Sequence, residues 1–187
     1  VGLSLSLIAG NLLGIAMAWS IHVRRFWEPI VVFTYPLPKS ALIPILIVWF
    51  GIGHASKIAA IFLGCIVPVV ISTYHGVRGV DKFLVWSARG MGMKEYTLVF
   101  RVVLPAALPD ILGGARIALA LSFILLVSSE LLIARAGLGY LISLLGEAGE
   151  YPGMFAAILT VSALGFLADR LFLMLTRALL AWKEGAA

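Results

Sequence analysis

Long apolar runs, each closed by charge or interrupted by proline, dominate the chain. Crossing a hydrocarbon layer of ~30 Å takes ~20 mostly apolar residues as helix. Five stretches meet or approach that length. The first runs from Val1 to Ile21 and is closed by His22, Arg24 and Arg25. The second, about Phe26 to Phe50, is broken in the middle by Pro36, Pro38 and Pro44. The third is about Ser56 to Tyr74, the fourth about Ala106 to Ile133, and the fifth about Met154 to Leu180. This pattern predicts an all-α fold, a polytopic transmembrane helical bundle of about five spans forming a single domain over residues 1–187.

Two of the runs carry small residues every fourth position: Ser6, Gly10, Gly14 and Ala18 in the first, Gly114, Ala118 and Ser122 in the fourth. Such ridges let helix backbones approach closely where burial from water supplies no drive, and they predict packing surfaces.

Composition fits the same solvent. Of 187 residues, 62% are hydrophobic and 12% charged, and the mean hydropathy is +1.09. Soluble domains run nearer half apolar and a quarter charged, and one core of this size cannot hide such an excess. The net charge of +5 comes from residues that are scattered or sit at the ends of apolar runs. A phosphate-tracking stripe would cluster them, so a nucleic-acid partner is not expected. With the Arg24/Arg25 loop inside, alternation puts nine basic residues on the inner side and two, Lys57 and Arg135, outside. That asymmetry is the positive-inside signature. The lone cysteine, Cys65, lies within an apolar run and reads as a small buried hydrophobe.

The segment between the third and fourth spans, residues 79–105, is longer than a connector needs to be. Asp81 is placed to cap a helix running through Ala88. Gly90 and Gly92 supply a break, and Lys94 to Val103 can resume as helix before Pro105. Both halves mix charge with large apolar side chains, among them Phe83, Trp86, Tyr96 and Phe100. An amphipathic pair of this kind either lies in the interface or docks on a partner.

Here the residues resemble a known family. In binding-protein-dependent ABC importer permeases the signature cytoplasmic loop reads Glu-Ala-Ala, three residues, Gly, nine residues, a β-branched residue, one residue, Leu-Pro. The string in this chain is Trp86-Ser87-Ala88, Gly92, Val102 and Leu104-Pro105, with the same spacing. Tyr35 to Gly53, Arg101 to Leu119 and Gly137 to Ile142 are similar to the nitrate/sulfonate/taurine branch of those permeases. Trp86 and Ser87 depart from the signature, so that one acidic contact with the ATPase is expected to be either lost or replaced through Asp81 or Glu95.

The resemblance implies a type I importer permease in a bacterial inner membrane, usually with six spans. Since the chain opens with Val1 inside an apolar run, a preceding span is expected to be missing. It further implies two permease copies, a homodimer around one path, with ABC ATPase subunits beneath and an extracytoplasmic solute-binding protein outside. ATP and Mg would then belong to the ATPase, and this chain would bind no cofactor. The absence of a GxxxxGK[ST] phosphate loop agrees with that. Asp81, Trp86, Ser87, Ala88, Gly92, Met93, Glu95, Tyr96, Leu104 and Pro105 are the candidate coupling residues, with Trp86, Met91, Met93 and Tyr96 as apolar contacts to the partner.

The broken second span points to the translocation path, because irregular backbone at membrane depth belongs against protein or a water-filled cavity. Its candidates are Pro36, Pro38, Lys39 and Ser40, with Lys39 able to meet an anionic solute. Glu130, in the fourth span, is either a path residue or the partner of Arg135. Two other classes are weaker. An intramembrane enzyme would need a motif such as HExxH or GxSxG, and the chain has neither. An ion-coupled secondary transporter would need no docking loop and would more often show inverted repeats.

Overall fold

The computed structural model describes residues 1–133 and 136–184. Among these residues the regular elements are all helical, and their order is α1 (Gly2–Trp19), α2 (Ile21–Thr34), α3 (Ile43–Phe50), α4 (His54–Gly79), α5 (Lys82–Gly90), α6 (Glu95–Leu98), α7 (Leu104–Ile133), α8 (Leu138–Glu147) and α9 (Tyr151–Glu184). A 3-10 turn, Lys39–Leu42, precedes α3, and a π-helical segment, Val99–Val103, joins α6 to α7.

Four helical stretches are long and apolar enough to span a bilayer, and α2 with the Lys39–Phe50 segment makes a fifth, bent by 93°. The expected break around Pro36 and Pro38 is therefore real. Proline removes backbone donors and disfavours helix in the residue before it.

Two boundaries differ from expectation. Arg24 and Arg25 do not lie in a loop: a single residue, Ser20, separates α1 from α2, and its hydroxyl accepts from the Val23 N–H at 3.5 Å. That cap starts a new helix at once and carries both arginines on its opening turns. Pro105 does not end the loop helix either. Glu95 to Leu132 is one continuous apolar helical stretch, in which the Leu104 N–H reaches back five residues to the Val99 carbonyl. A proline ring clashes with the carbonyl four residues before it, and the wider π turn gives it room.

The centre of the bundle is α4, which α1 flanks in parallel and α7 antiparallel. A Cβ placed on Gly14 would stand 2.7 Å from Thr73 Cβ and 2.9 Å from the Val70 carbonyl oxygen, so the small-residue ridge of α1 is the contact surface. Its counterpart on α7 works likewise. Ala118 is fully buried, and its carbonyl accepts from Cys65 Sγ at 3.2 Å. Thr73 Oγ1 donates to Asn11 Oδ1 at 2.6 Å and ties α1 to α4 by a polar contact as well.

Candidate coupling and translocation sites

The segment over residues 79–105 is built on a buried floor. Val77 of α4, Ala88 of α5, Leu98 of α6, Val103 of the π segment and Ala107 of α7 form one cluster, in which Leu98 and Ala107 are fully buried. Asp81 accepts from the Phe83 N–H at 2.8 Å and starts α5. The turn out of α5 runs through Gly92, whose φ of +75° lies in the left-handed region that glycine tolerates; Gly90 is instead the last residue of α5. Arg89 then makes a two-pronged ion pair with Glu95, at 2.8 and 3.1 Å, closing α5 onto α6.

Both acids expected to stand in for the missing signature glutamate are therefore engaged within the chain, Asp81 as a cap and Glu95 with Arg89. Met93 also departs from expectation. It packs half-buried against the cluster, because the glycine turn folds it under α5. Trp86, Met91 and Tyr96 do face outward, at 60%, 76% and 71% exposure. Trp86 meets Phe83, and Tyr96 meets Phe100, in edge-to-face pairs with centroids 5.7 and 6.2 Å apart. Ser87 is exposed beside Trp86, while Leu104 and Pro105 sit half-buried where the π segment enters α7.

At the break in the second span, Pro36, Pro38 and Ser40 are exposed. The Lys39 ammonium donates to the Thr34 carbonyl at 3.2 Å and to the Tyr35 carbonyl. It caps the C-terminal end of α2, where the Thr34 carbonyl also accepts from the Leu37 N–H at 3.3 Å. Lys39 and Thr34 are also the polar members of a cavity of about 370 Å³ lined by Leu13, Trp27, Phe62 and Ile66.

At the opposite end of α4, Glu130 pairs with Lys57 at 3.0 Å and accepts from the Gly139 N–H at 3.1 Å. Arg135, its expected partner, lies outside the described residues. Glu130 joins α4, α7 and α8 at one point, and a Cβ on Gly139 would stand 2.5 Å from Glu130 Cβ. Sequence reasoning missed this junction and α8 itself, a helix of 10 residues too short to register as a span. The signal available was Gly137 and Gly139 close after a carboxylate. Also missed was the two-pronged pair of Arg116 with Asp169, at 2.7 and 2.8 Å, which joins α7 to α9. Their separation of 53 positions hides it in the sequence. No cluster of histidine, cysteine or carboxylate side chains able to hold a metal occurs among the described residues.

Comparison with known proteins decides between the classes left open by the sequence. The family model described as "Binding-protein-dependent transport system inner membrane component" matches residues 10–180. The chain belongs to this family. A probable ABC transporter permease of Brucella abortus (strain 2308) is 37% identical over 186 residues, covering 100% of this chain and 73% of the relative. The taurine transport system permease protein TauC of Escherichia coli (strain K12) is 35% identical over 177 residues, 95% of this chain and 64% of that protein. In fold, the chain is similar to a chain of the inward-facing MetNI methionine ABC transporter, with a TM-score of 0.81 at 20% identity over 96% of this chain and 89% of that one. This permease is thus a transport subunit of an ABC importer and a multi-pass component of the inner membrane, and the secondary-transporter reading falls away.

Proposed function

We propose that this permease carries a small sulfonate-bearing solute, driven by a separate ATPase that grips the α5–α6 elbow, and that it works as a pair of identical copies around one path. The chain holds no ATP site of its own in this reading; ATP and Mg belong to the partner. The observation that carries the reading is the two-sidedness of the elbow. Ala88, Leu98 and Val103 fasten it to the ends of α4 and α7, while Phe83, Trp86, Met91 and Tyr96 stay exposed on its other side. A force applied to the aromatic side is passed through the buried side to two spans as a rigid displacement, because a close-packed cluster does not absorb it.

The relative named for taurine supports the solute class. In this reading Pro36, Pro38, Lys39 and Ser40 lie along the path, and Lys39, with its ammonium already on two carbonyls, supplies a fixed positive field for a sulfonate rather than a mobile ligand. Glu130 sets the outer end of the path by holding α8 in place.

The test is solute-stimulated ATP hydrolysis in the reconstituted complex with its binding protein. Taurine or an alkanesulfonate should stimulate it. Gly92→Val should cut the stimulated rate at least about tenfold, since a β-branched residue at positive φ strains the turn, with the ATPase still bound. Full stimulation in that variant would mean that the elbow is not the lever. Stimulation by a solute without a sulfonate, and not by taurine, would overturn the solute class alone.

A further inference from the structure

A second groove, of about 320 Å³, opens between the end of α1, the latter half of α2 and the later turns of α4. Its lining is apolar at Met17, Val32 and Ile71 and polar at Glu28, Tyr74 and His75. Around the rim the charges do not balance. Arg24 and Arg78 both donate to the one neutral phenol of Tyr74, Nη1 to Oη at 3.5 and 3.0 Å. Arg24 Nε is buried without a hydrogen-bond partner, and the nearest carboxylate oxygen, on Glu28, stands 3.9 Å away. Arg25 is exposed one residue further on. Two guanidinium groups thus share one phenol, with Glu28 the acid beside Arg24.

We propose that this groove binds one anionic phospholipid of the inner leaflet, its phosphate on Arg24 and Arg78 and an acyl chain lying along Met17, Val32 and Ile71. The chemistry of both ends argues for it. A phosphate oxygen supplies the acceptors that two guanidiniums sharing a phenol lack. The apolar trough leading away from them into the bilayer would have no use for a free anion. Basic pockets between spans on the cytoplasmic side suit such headgroups. The proposal rests on the inner-membrane assignment and is independent of the solute.

The experiment is native mass spectrometry of the purified, delipidated transporter complex titrated with phosphatidylglycerol, phosphatidylcholine of the same chains, or inorganic phosphate. One phosphatidylglycerol should be retained preferentially over phosphatidylcholine. Arg24→Gln with Arg78→Gln should weaken phosphatidylglycerol on the order of tenfold and leave phosphatidylcholine unchanged. Val32→Trp, at a position 65% exposed, should weaken both lipids by filling the trough without disturbing the core. Equal retention of the two lipids, or indifference to either variant, would overturn the proposal. So would competition by inorganic phosphate as effective as that by the lipid, and so would cross-linking of Val32→Cys to another protein segment in a complex that retains no lipid.

Discussion

Helices α4 and α9 look interchangeable as strings of residues and behave as opposites in the fold. Their most apolar windows have mean hydropathies of 2.1 and 1.8, yet 39% of that window is buried in α4 and none in α9. Apolarity cannot sort them, because lipid tails accept leucine as readily as a helix neighbour does. What differs is the opportunity for close approach. Gly76 of α4 would bring a Cβ to 2.6 Å from Asp110 Cβ, and α1 and α7 present their own small residues to α4 from both sides. Gly165 of α9 has nothing within 4 Å of where its Cβ would be. The helix that others can approach becomes the axis of the bundle; α9, whose Gly165 faces open space, stays at its edge, held through α8 and the Arg116–Asp169 pair.

Substitutions can break this contrast, and the largest effect is expected at the α1–α4 contact. Gly14→Leu drives side-chain atoms into the Val70 carbonyl, which cannot yield, and should lower stability by about 3 kcal/mol, the upper end for overpacking. Denaturation of the permease in mixed micelles would measure it, and a loss under 1 kcal/mol would mean that α1 can slide on α4. Next comes Glu130→Gln, which leaves Lys57, at 20% side-chain exposure, without its counter-charge. A destabilisation of about 2 kcal/mol is expected, reduced from the fully buried case because both groups reach solvent. A double cycle with Lys57→Met should recover most of it, and additive losses would show that the pair does not interact. The smallest effect should come from Gly165→Leu, within about 0.5 kcal/mol of the parent. A loss there as large as that at Gly14, appearing only in the assembled transporter, would show that α9 is covered by a partner and that its exposure belongs to the single chain alone.

The α5–α6 elbow and the Glu130 junction differ in how far the sequence disclosed them. At the elbow, the Asp81 cap and the glycine break could be read locally, since a cap and a turn involve residues a few positions apart. The direction in which Met93 points could not, because it depends on how Gly92 folds the chain back under α5. At the Glu130 junction almost nothing could be read. Lys57 and Glu130 are 73 positions apart, and only the antiparallel packing of α4 on α7 brings them together. The same holds for Arg24, Tyr74 and Arg78, whose meeting requires α2 to start directly after Ser20 instead of following a loop.

By itself the sequence determined that the chain is a bundle of apolar helices, that the second span is broken at its prolines, and that an amphipathic elbow follows the third. These follow from solvent preference and from backbone chemistry, which act over a few residues at a time. Only the tertiary structure decided which helix is the axis, which charges neutralise one another, and which face of the elbow stays free. Those outcomes turn on the registry between helices, and registry is set by the fit of small residues against distant neighbours, which no local pattern encodes.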